Sequence, residues 1–316
     1  MSSPNIQSLP TFPESIELGP SHRELITDFT SRQGQLPSDF NFHSLLAWSI
    51  DGRTTIANLN GNLVVDIPDY MNGEPSVTVY GDQSTDQTVH TLLGFTDKLV
   101  YVPEVVVDNL SDRSGLCIQE DRDNFDYIYD IADLVALPGS GSNKGKRNRI
   151  SKFQRIYGSG IEVTHMPLAS AEGGFDQDIM GVVEQWQQIK CAGSIDGAGK
   201  PETKAVERLL KLGSEDVLHI SRLCIENSCV GFSINELLPD GNNSLCHFQK
   251  VIPGIEHADL YLNHEVSKYL GSLGCTTVNW EQDLGIPGLR YLKESYHPTS
   301  VIKKYTITSM AASMAA

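Results

Sequence analysis

Six cations, Lys144, Lys146, Arg147, Arg149, Lys152 and Arg155, fall within 28 acid-free residues between Asp133 and Glu162. The whole chain carries 40 acids against 24 lysines plus arginines, a formal charge of -16. A basic island in so acidic a protein reads as one aimed site for an anion: a phosphate, a carboxylate or a nucleic-acid backbone. The alternative, a solvated helix face, stays open. Other chemistries are poorly served. Gly139 and Gly145 are spaced one residue too far apart for a Walker A loop, and Arg147 stands where its magnesium-binding Ser or Thr belongs. Gly231-Phe232-Ser233-Ile234-Asn235 lacks the second glycine of a nucleophile elbow, so covalent catalysis is not expected. No CxxC occurs and the nine histidines form no metal-spaced pair, so no metal site is expected.

The island must be held by a helix. Gly139 to Asn143 is a Gly/Ser loop, after which Ile150, Phe153 and Tyr157 repeat at i, i+3 and i+7. Lys144, Arg147, Lys152 and Arg155 then project from the other side. A loop of this kind leaves amide N–H groups free at the helix start, where the dipole favours an anion. Upstream, Asn62 to Pro68 and Ser76 to Gly81 are strand-like, joined by a turn at Met71-Asn72-Gly73-Glu74. A helix at Thr85 to Phe95 and a β-branched run from Leu99 to Val107 follow, then Tyr127 to Leu137. Downstream come helices at Asp178 to Lys190 and Glu202 to Lys211. A hairpin turning at Asn227-Ser228 and a strand from Leu245 to Val251 follow. The pattern ends with a helix from Ala258 to Leu273, buried along Ala258, Leu262, Val266 and Tyr269, and a strand from Thr276 to Trp280.

At 316 residues the chain has room for two domains. Their expected limits are 21–165 and 170–310, parted in the small, polar stretch Ser159 to Gly174, with residues 1–20 a loose lead-in. Composition is globular, 40% hydrophobic and 20% charged. No apolar run approaches the roughly 18–20 residues that span a bilayer. The N-terminus lacks a cationic, hydrophobic signal sequence. Cys117, Cys191, Cys224, Cys229, Cys246 and Cys275 sit mostly in apolar runs, which suits buried thiols in a reducing cytoplasm better than a disulfide framework. A cytoplasmic location is therefore expected. Trp48, Trp186 and Trp280 either line an aromatic pocket or pack in the core.

From Val278 to Tyr305 the sequence reads VNWEQDLGIPGLRYLKESYHPTSVIKKY. With NFDYIYDIADLVAL, GKRNRISKF and HFQK, it resembles the family built on the C-terminal domain of phosphatidylglycerol lysyltransferase, over roughly residues 40 to 306. The resemblance implies an α+β fold of two tandem GNAT-like domains, mixed sheets flanked by helices, related to Fem-type aminoacyltransferases. Periodicity alone does not separate that order of elements from other α+β arrangements. It also implies an activity: an amino acid moved from aminoacyl-tRNA to a lipid hydroxyl, an amine or another acceptor. No bound cofactor is implied. Gly81-Asp82 looks like the family's first strand end, Lys146, Arg147 and Arg149 like its basic helix start, and Lys250 like its strand-end cation. Asn279, Glu281 and Asp283 match the last strand-to-loop motif, with Arg290 and Lys293 on the helix after it. The chain departs from the pattern at Gln83, where many relatives have Pro, and in its Ser/Gly-rich loop before Lys146. It also carries no multi-helix membrane region, so any membrane contact is expected to be peripheral.

On this resemblance, Glu281 or Asp283 either orients the donor's ammonium or acts as base, with helix capping the competing role for Asp283. Lys250 binds an anion or pairs with Glu281. Arg290 and Lys293, three apart, share a helix face and can grip an anion together with Lys144, Lys146, Arg147 and Arg149. Asp82 with Asn279 receives the acceptor, or Asp82 caps the helix near Thr85. His297 either packs the helix end or is catalytic. Two other functions compete. An acyl-CoA-dependent N-acyltransferase needs a glycine-rich pyrophosphate loop, and Gln249 to Glu256 offers one suitable glycine and a carboxylate. A degenerate, non-catalytic tandem fold is the other. The charge of -16 predicts a weak, salt-sensitive tRNA complex.

Overall fold

The computed structural model describes residues 5–49, 53–68, 74–171, 174–190, 200–212 and 216–310. The expected turn residues Met71, Asn72 and Gly73, and Cys191, lie outside them. Two compact units divide the chain. One comprises 1–126, 282–287 and 301–316; the other comprises 127–281 and 288–300.

The first unit opens with β1 (Ile16–Glu17), α1 (Arg23–Ser31) and α2 (Phe42–Trp48). It continues through β2 (Thr55–Leu59), β3 (Asn62–Pro68), β4 (Pro75–Tyr80), α3 (Thr85–Leu93), β5 (Lys98–Pro103), α4 (Glu104–Asp108) and β6 (Leu116–Glu120). The second unit holds β7 (Asp126–Asp130), α5 (Ile131–Ala136), α6 (Ser142–Tyr157), β8 (Ile161–Pro167), α7 (Phe175–Lys190) and α8 (Lys200–Lys211). After these come β9 (Leu218–Ile225), β10 (Ser228–Leu237), β11 (Asn243–Val251), α9 (Ala258–Ser272), β12 (Thr277–Asn279), α10 (Pro287–Glu294) and β13 (Ser300–Ile302). The chain re-enters the first unit at Val301, within β13, and continues into β14 (Lys304–Ser309).

Among the described residues each unit builds one seven-stranded sheet, ordered β1-β2-β3-β4-β5-β14-β6 and β13-β7-β12-β11-β10-β9-β8. In the first, β4 and β5 are parallel and joined through α3; in the second, β11 and β12 are parallel and joined through α9. Alternation along β3 fills both faces of the first sheet. Leu63, Val65 and Ile67 pack with Ile26, Phe40 and Tyr80, while Val64 packs with Val89 and Leu92 of α3. In α9 the expected stripe is buried at Ala258, Leu262 and Val266, and Tyr269 stacks on His165 with ring centroids 4.5 Å apart.

Several expectations need correction. The cut at 165–170 does not match the units, because β8 pairs with β9 and β7 pairs with β12. The basic helix α6 therefore shares a unit with Lys250 and Glu281. The lead-in is not loose from Asn5 onward: Ile6, Leu9 and Leu18 are buried, and Phe12 meets Phe95 edge-on at 5.0 Å. The β-branched run stays extended only to Pro103, after which Glu104 starts α4 and Val105 to Val107 are helical. Tertiary packing overrides β propensity there.

Buried charge supports the first unit. Lys304 lies fully buried against Asp39 and Asp126, its Nζ 2.7 Å from Asp126 Oδ1, and Ser38 donates to Asp126 through both N–H and hydroxyl. Burial works to discharge the ammonium, but the two carboxylates outweigh it and raise its pKa.

Candidate functional site

The parallel pairing of β11 and β12 lasts three rungs and ends at Leu245 opposite Asn279. Past that rung β11 runs on to Val251 while β12 stops, which leaves a fork at the strand ends. Polar groups gather around it. The register steps from Ile234–Phe248 to Asn235–Cys246, so His247 is the extra residue of a bulge. Its Nε2 lies 2.9 Å from Oε2 of the buried Glu236, and its Nδ1 4.0 Å from Oε1 of Glu281. When Nε2–H donates to Glu236, Nδ1 is the nitrogen turned towards Glu281. The outer member, Glu281, keeps 20% of its side chain exposed.

Glu281 is held by its backbone. Its φ of 57° lies in the left-handed region, which costs a non-glycine residue about 1–2 kcal/mol. Asn279 Oδ1 accepts its N–H at 2.7 Å, and Lys293 Nζ donates to its carbonyl at 2.9 Å and to that of Trp280 at 2.6 Å. The Lys293 carbonyl in turn accepts from Tyr129 Oη. Carboxylate, histidine and carboxylate thus form a line running from the interior to an accessible oxygen. Cys246, half-buried beside them, is held as a thiol. Burial pushes its thiol up to about 12, with Glu281 adding to the rise.

The other expected site residues divide by location. Lys250 does not reach Glu281; its Nζ pairs with Glu202 at 2.7 Å and sits 4.2 Å from the Trp186 ring centroid. Trp280 packs against Tyr129 and Tyr296. Arg290 is half-buried on α10, and Lys293 is committed to the two carbonyls, so the two do not form an anion grip. Asp283 belongs to the first unit. It is fully buried, pairs with Arg122 at 3.2 Å and accepts from Gly285 N–H, which makes it the closer of a turn and not a base. Asp82, also in the first unit, is exposed. It accepts from the Gln83 side chain and does not cap α3, whose N-cap is Ser84 without a side-chain bond.

The basic island is partly consumed by structure. Lys146 is buried, donates to the Ser295 carbonyl beyond α10 and lies 4.3 Å from the Tyr296 ring centroid. Burial, helped by Arg149, lowers its pKa. Arg147 donates to the carbonyls of Leu137 and Gly139, capping the end of α5. Lys152 pairs with Glu256 at 3.0 Å. Lys144, Arg149 and Arg155 stay exposed, and Lys144 and Arg155 fall on one face of α6. His297 Nε2 meets Ser142 Oγ at 3.2 Å, at the helix start. Glu256 stands just before α9, where a phosphate-binding loop would need amides and no carboxylate.

Glu236 and His247 were not singled out in the sequence. The available signals were an acid inside the apolar run Val230 to Leu238 and the position of His247 at the head of HFQK.

Two mixed sheets, each with a parallel pair linked through one helix, define a protein of two tandem GNAT-like domains. The family model for phosphatidylglycerol lysyltransferase, C-terminal, matches residues 87–308, and the chain belongs to that family. A conserved protein of unknown function from Bacteroides thetaiotaomicron has the same fold, with a TM-score of 0.78 and 23% identity, covering 93% of this chain and 99% of that one. L-PGS from Bacillus licheniformis gives a TM-score of 0.62 and 15% identity, covering 95% of this chain and 96% of that one. Among curated proteins none matches the sequence. No described helix is long and apolar enough to cross a membrane.

Proposed function

We propose that this chain transfers an aminoacyl group from aminoacyl-tRNA to a hydroxyl or amine of a small-molecule or lipid acceptor, with the chemistry at the β11/β12 fork. Family membership supports the reaction class, and the Glu236–His247–Glu281 line carries the assignment of the site. In this reading Glu281 takes the proton from the acceptor as its oxygen or nitrogen attacks the ester carbonyl carbon. The bond to the ribose oxygen then breaks, and that oxygen leaves with a proton. Glu236 orients His247, and His247 backs Glu281 as the proton moves. Asn279 and Lys293 act as positioning residues, because they hold the Glu281 backbone. Lys144, Arg149 and Arg155 offer phosphate contacts for the tRNA.

A CoA donor fits less well, since Glu256 occupies the amide end of α9 and its bond with Lys152 keeps it ionised. The test is label transfer from charged tRNA into extracted small molecules and lipids, run beside acetyl-CoA consumption. Label that moves only with charged tRNA is expected. Consumption of acetyl-CoA without label transfer would assign the site to the other donor. Substituting Glu281→Gln should lower kcat by about 10²-fold or more with an unchanged KM. A wild-type rate in that variant would remove Glu281 as base.

A further inference from the structure

Two cysteines face each other across the β9–β10 hairpin, away from the fork. The hairpin closes through Glu226 and Asn227, with φ of 49° and 67°, the left-handed pair of a type I′ turn. Ile225 and Ser228 are the rung next to the turn, and Cys224 and Cys229 the rung after it. Rungs alternate between hydrogen-bonded and open, and the turn's own bonds make Ile225–Ser228 the bonded one. Cys224 and Cys229 therefore occupy an open rung, where Cα atoms stand about 4.5 Å apart and side chains are closest. That spacing falls inside the disulfide range.

In the reduced chain Cys229 Sγ donates to the Gly231 carbonyl at 3.7 Å, so the thiols are paired by register and not by a bond. Arg222, paired with Asp178, stands beside both. Cys229 is half-buried and Cys224 buried, so one thiol is open to a reagent and the other stands behind it. Sequence spacing alone favours independent buried thiols; the register pairs them.

We propose that Cys224 and Cys229 are an oxidation site, a dithiol that a hydroperoxide closes to an intramolecular disulfide. Cys229 Sγ attacks one peroxide oxygen, the O–O bond breaks, and water leaves a sulfenic acid behind. Cys224 Sγ then attacks that sulfur. The S–O bond breaks, the oxygen departs as a second water with the thiol proton, and the S–S bond forms. The two sulfurs lose one electron each and the peroxide takes both. Burial raises both thiols, Cys229 to about 12, so thiolate is scarce and closure is slower than for a free cysteine. The closed form ties the tips of β9 and β10 and does not depend on the transfer reaction.

The experiment treats the full-length reduced chain with hydrogen peroxide and quenches with a thiol alkylator. It then cleaves after glutamate, since Glu226 lies between the two cysteines and only a disulfide keeps their peptides joined. The expected product has lost two hydrogen atoms and links Cys224 to Cys229. It reopens with a dithiol reductant and melts at a higher temperature than the reduced chain. Cys229→Ala should abolish the link, while Cys246→Ala should leave it. Separate sulfinic acids at the two positions would overturn the proposal. So would a link to any other cysteine, or full alkylation of both thiols after oxidation of the rest.

Discussion

The two parallel forks, one in each unit, are built alike and furnished differently. In the first, β4 ends at Tyr80 and the chain passes through Gly81 with φ of 141° before α3. Asn62 fills the space there. Its Oδ1 accepts from Gln83 N–H at 3.0 Å, and its Nδ2 donates to the carbonyls of Leu59 and Gln83 and to Thr88 Oγ1. Tyr80 stacks on Phe40 at 4.8 Å, and Leu99 and Val102 are fully buried on β5. The loop leading into α3 is thus tied down by the protein's own carboxamide. In the second fork the equivalent strand ends carry Glu236, His247 and Glu281, with a strained backbone under the last. One copy of the architecture has been closed for stability; the other has been left polar. Similarity of topology therefore does not transmit function from one half of the chain to the other.

That contrast can be broken most severely at Glu281. Glu281→Gln should lose about 10²–10⁴-fold in kcat while its melting temperature stays within a few degrees of wild type. The reverse outcome, a large loss of stability with normal turnover, would make the second fork as structural as the first. Gly81→Ala is the matching change in the first unit. A Cβ there would come 2.3 Å from Asn62 Oδ1, at a φ that side chains avoid. A loss of about 2–4 kcal/mol in denaturant unfolding is expected, with kcat per folded molecule unchanged. Next comes the pair Lys144→Glu and Arg155→Glu. It should weaken tRNA retention and flatten its salt dependence, by about 0.7–0.9 log units for each phosphate no longer neutralised. Arg147→Glu should instead lower stability, since that side chain caps carbonyls.

The smallest effect concerns pH. Burial lowers the pKa of His219, and of His165, below the ordinary 6.5. The folded state then binds fewer protons than the unfolded chain, so stability is complete above pH 6.5 and declines as pH falls below it. His219 is buried, and its Nδ1 shares a hydrogen bond with Tyr269 Oη at 2.8 Å. Unfolding curves between pH 5 and 7 should flatten for His219→Asn; an unchanged slope would place the titrating group elsewhere.

Much of this was legible in the residues. The β9–β10 hairpin, with its turn one residue earlier than expected at Glu226-Asn227, and the buried side of α9 follow from local periodicity, which needs no partner to be read. Within the proposed site, Asn279, Glu281 and Lys293 were the residues that a motif marked. Lys146 and Arg147 read as phosphate ligands because sequence shows charge and not direction. Only the fold reveals that carbonyls at Ser295 and Leu137 wait for them. Lys250 likewise met Glu202, a partner 48 positions away by subtraction of the residue numbers, which no local rule supplies. His247 escaped notice because a bulge, a feature of two strands together, is what turns it towards Glu236.

The seventh strand of the first sheet is drawn from the far end of the sequence, with β14 seated between β5 and β6. On the ribosome, β6 therefore emerges with no neighbour to bond, and it waits until residue 309 has left the exit tunnel. A fragment ending near residue 126 would expose two unsatisfied strand edges and is a poor choice for expression. Cutting the linker before Lys304 should release the same edges and drive the first unit towards aggregation.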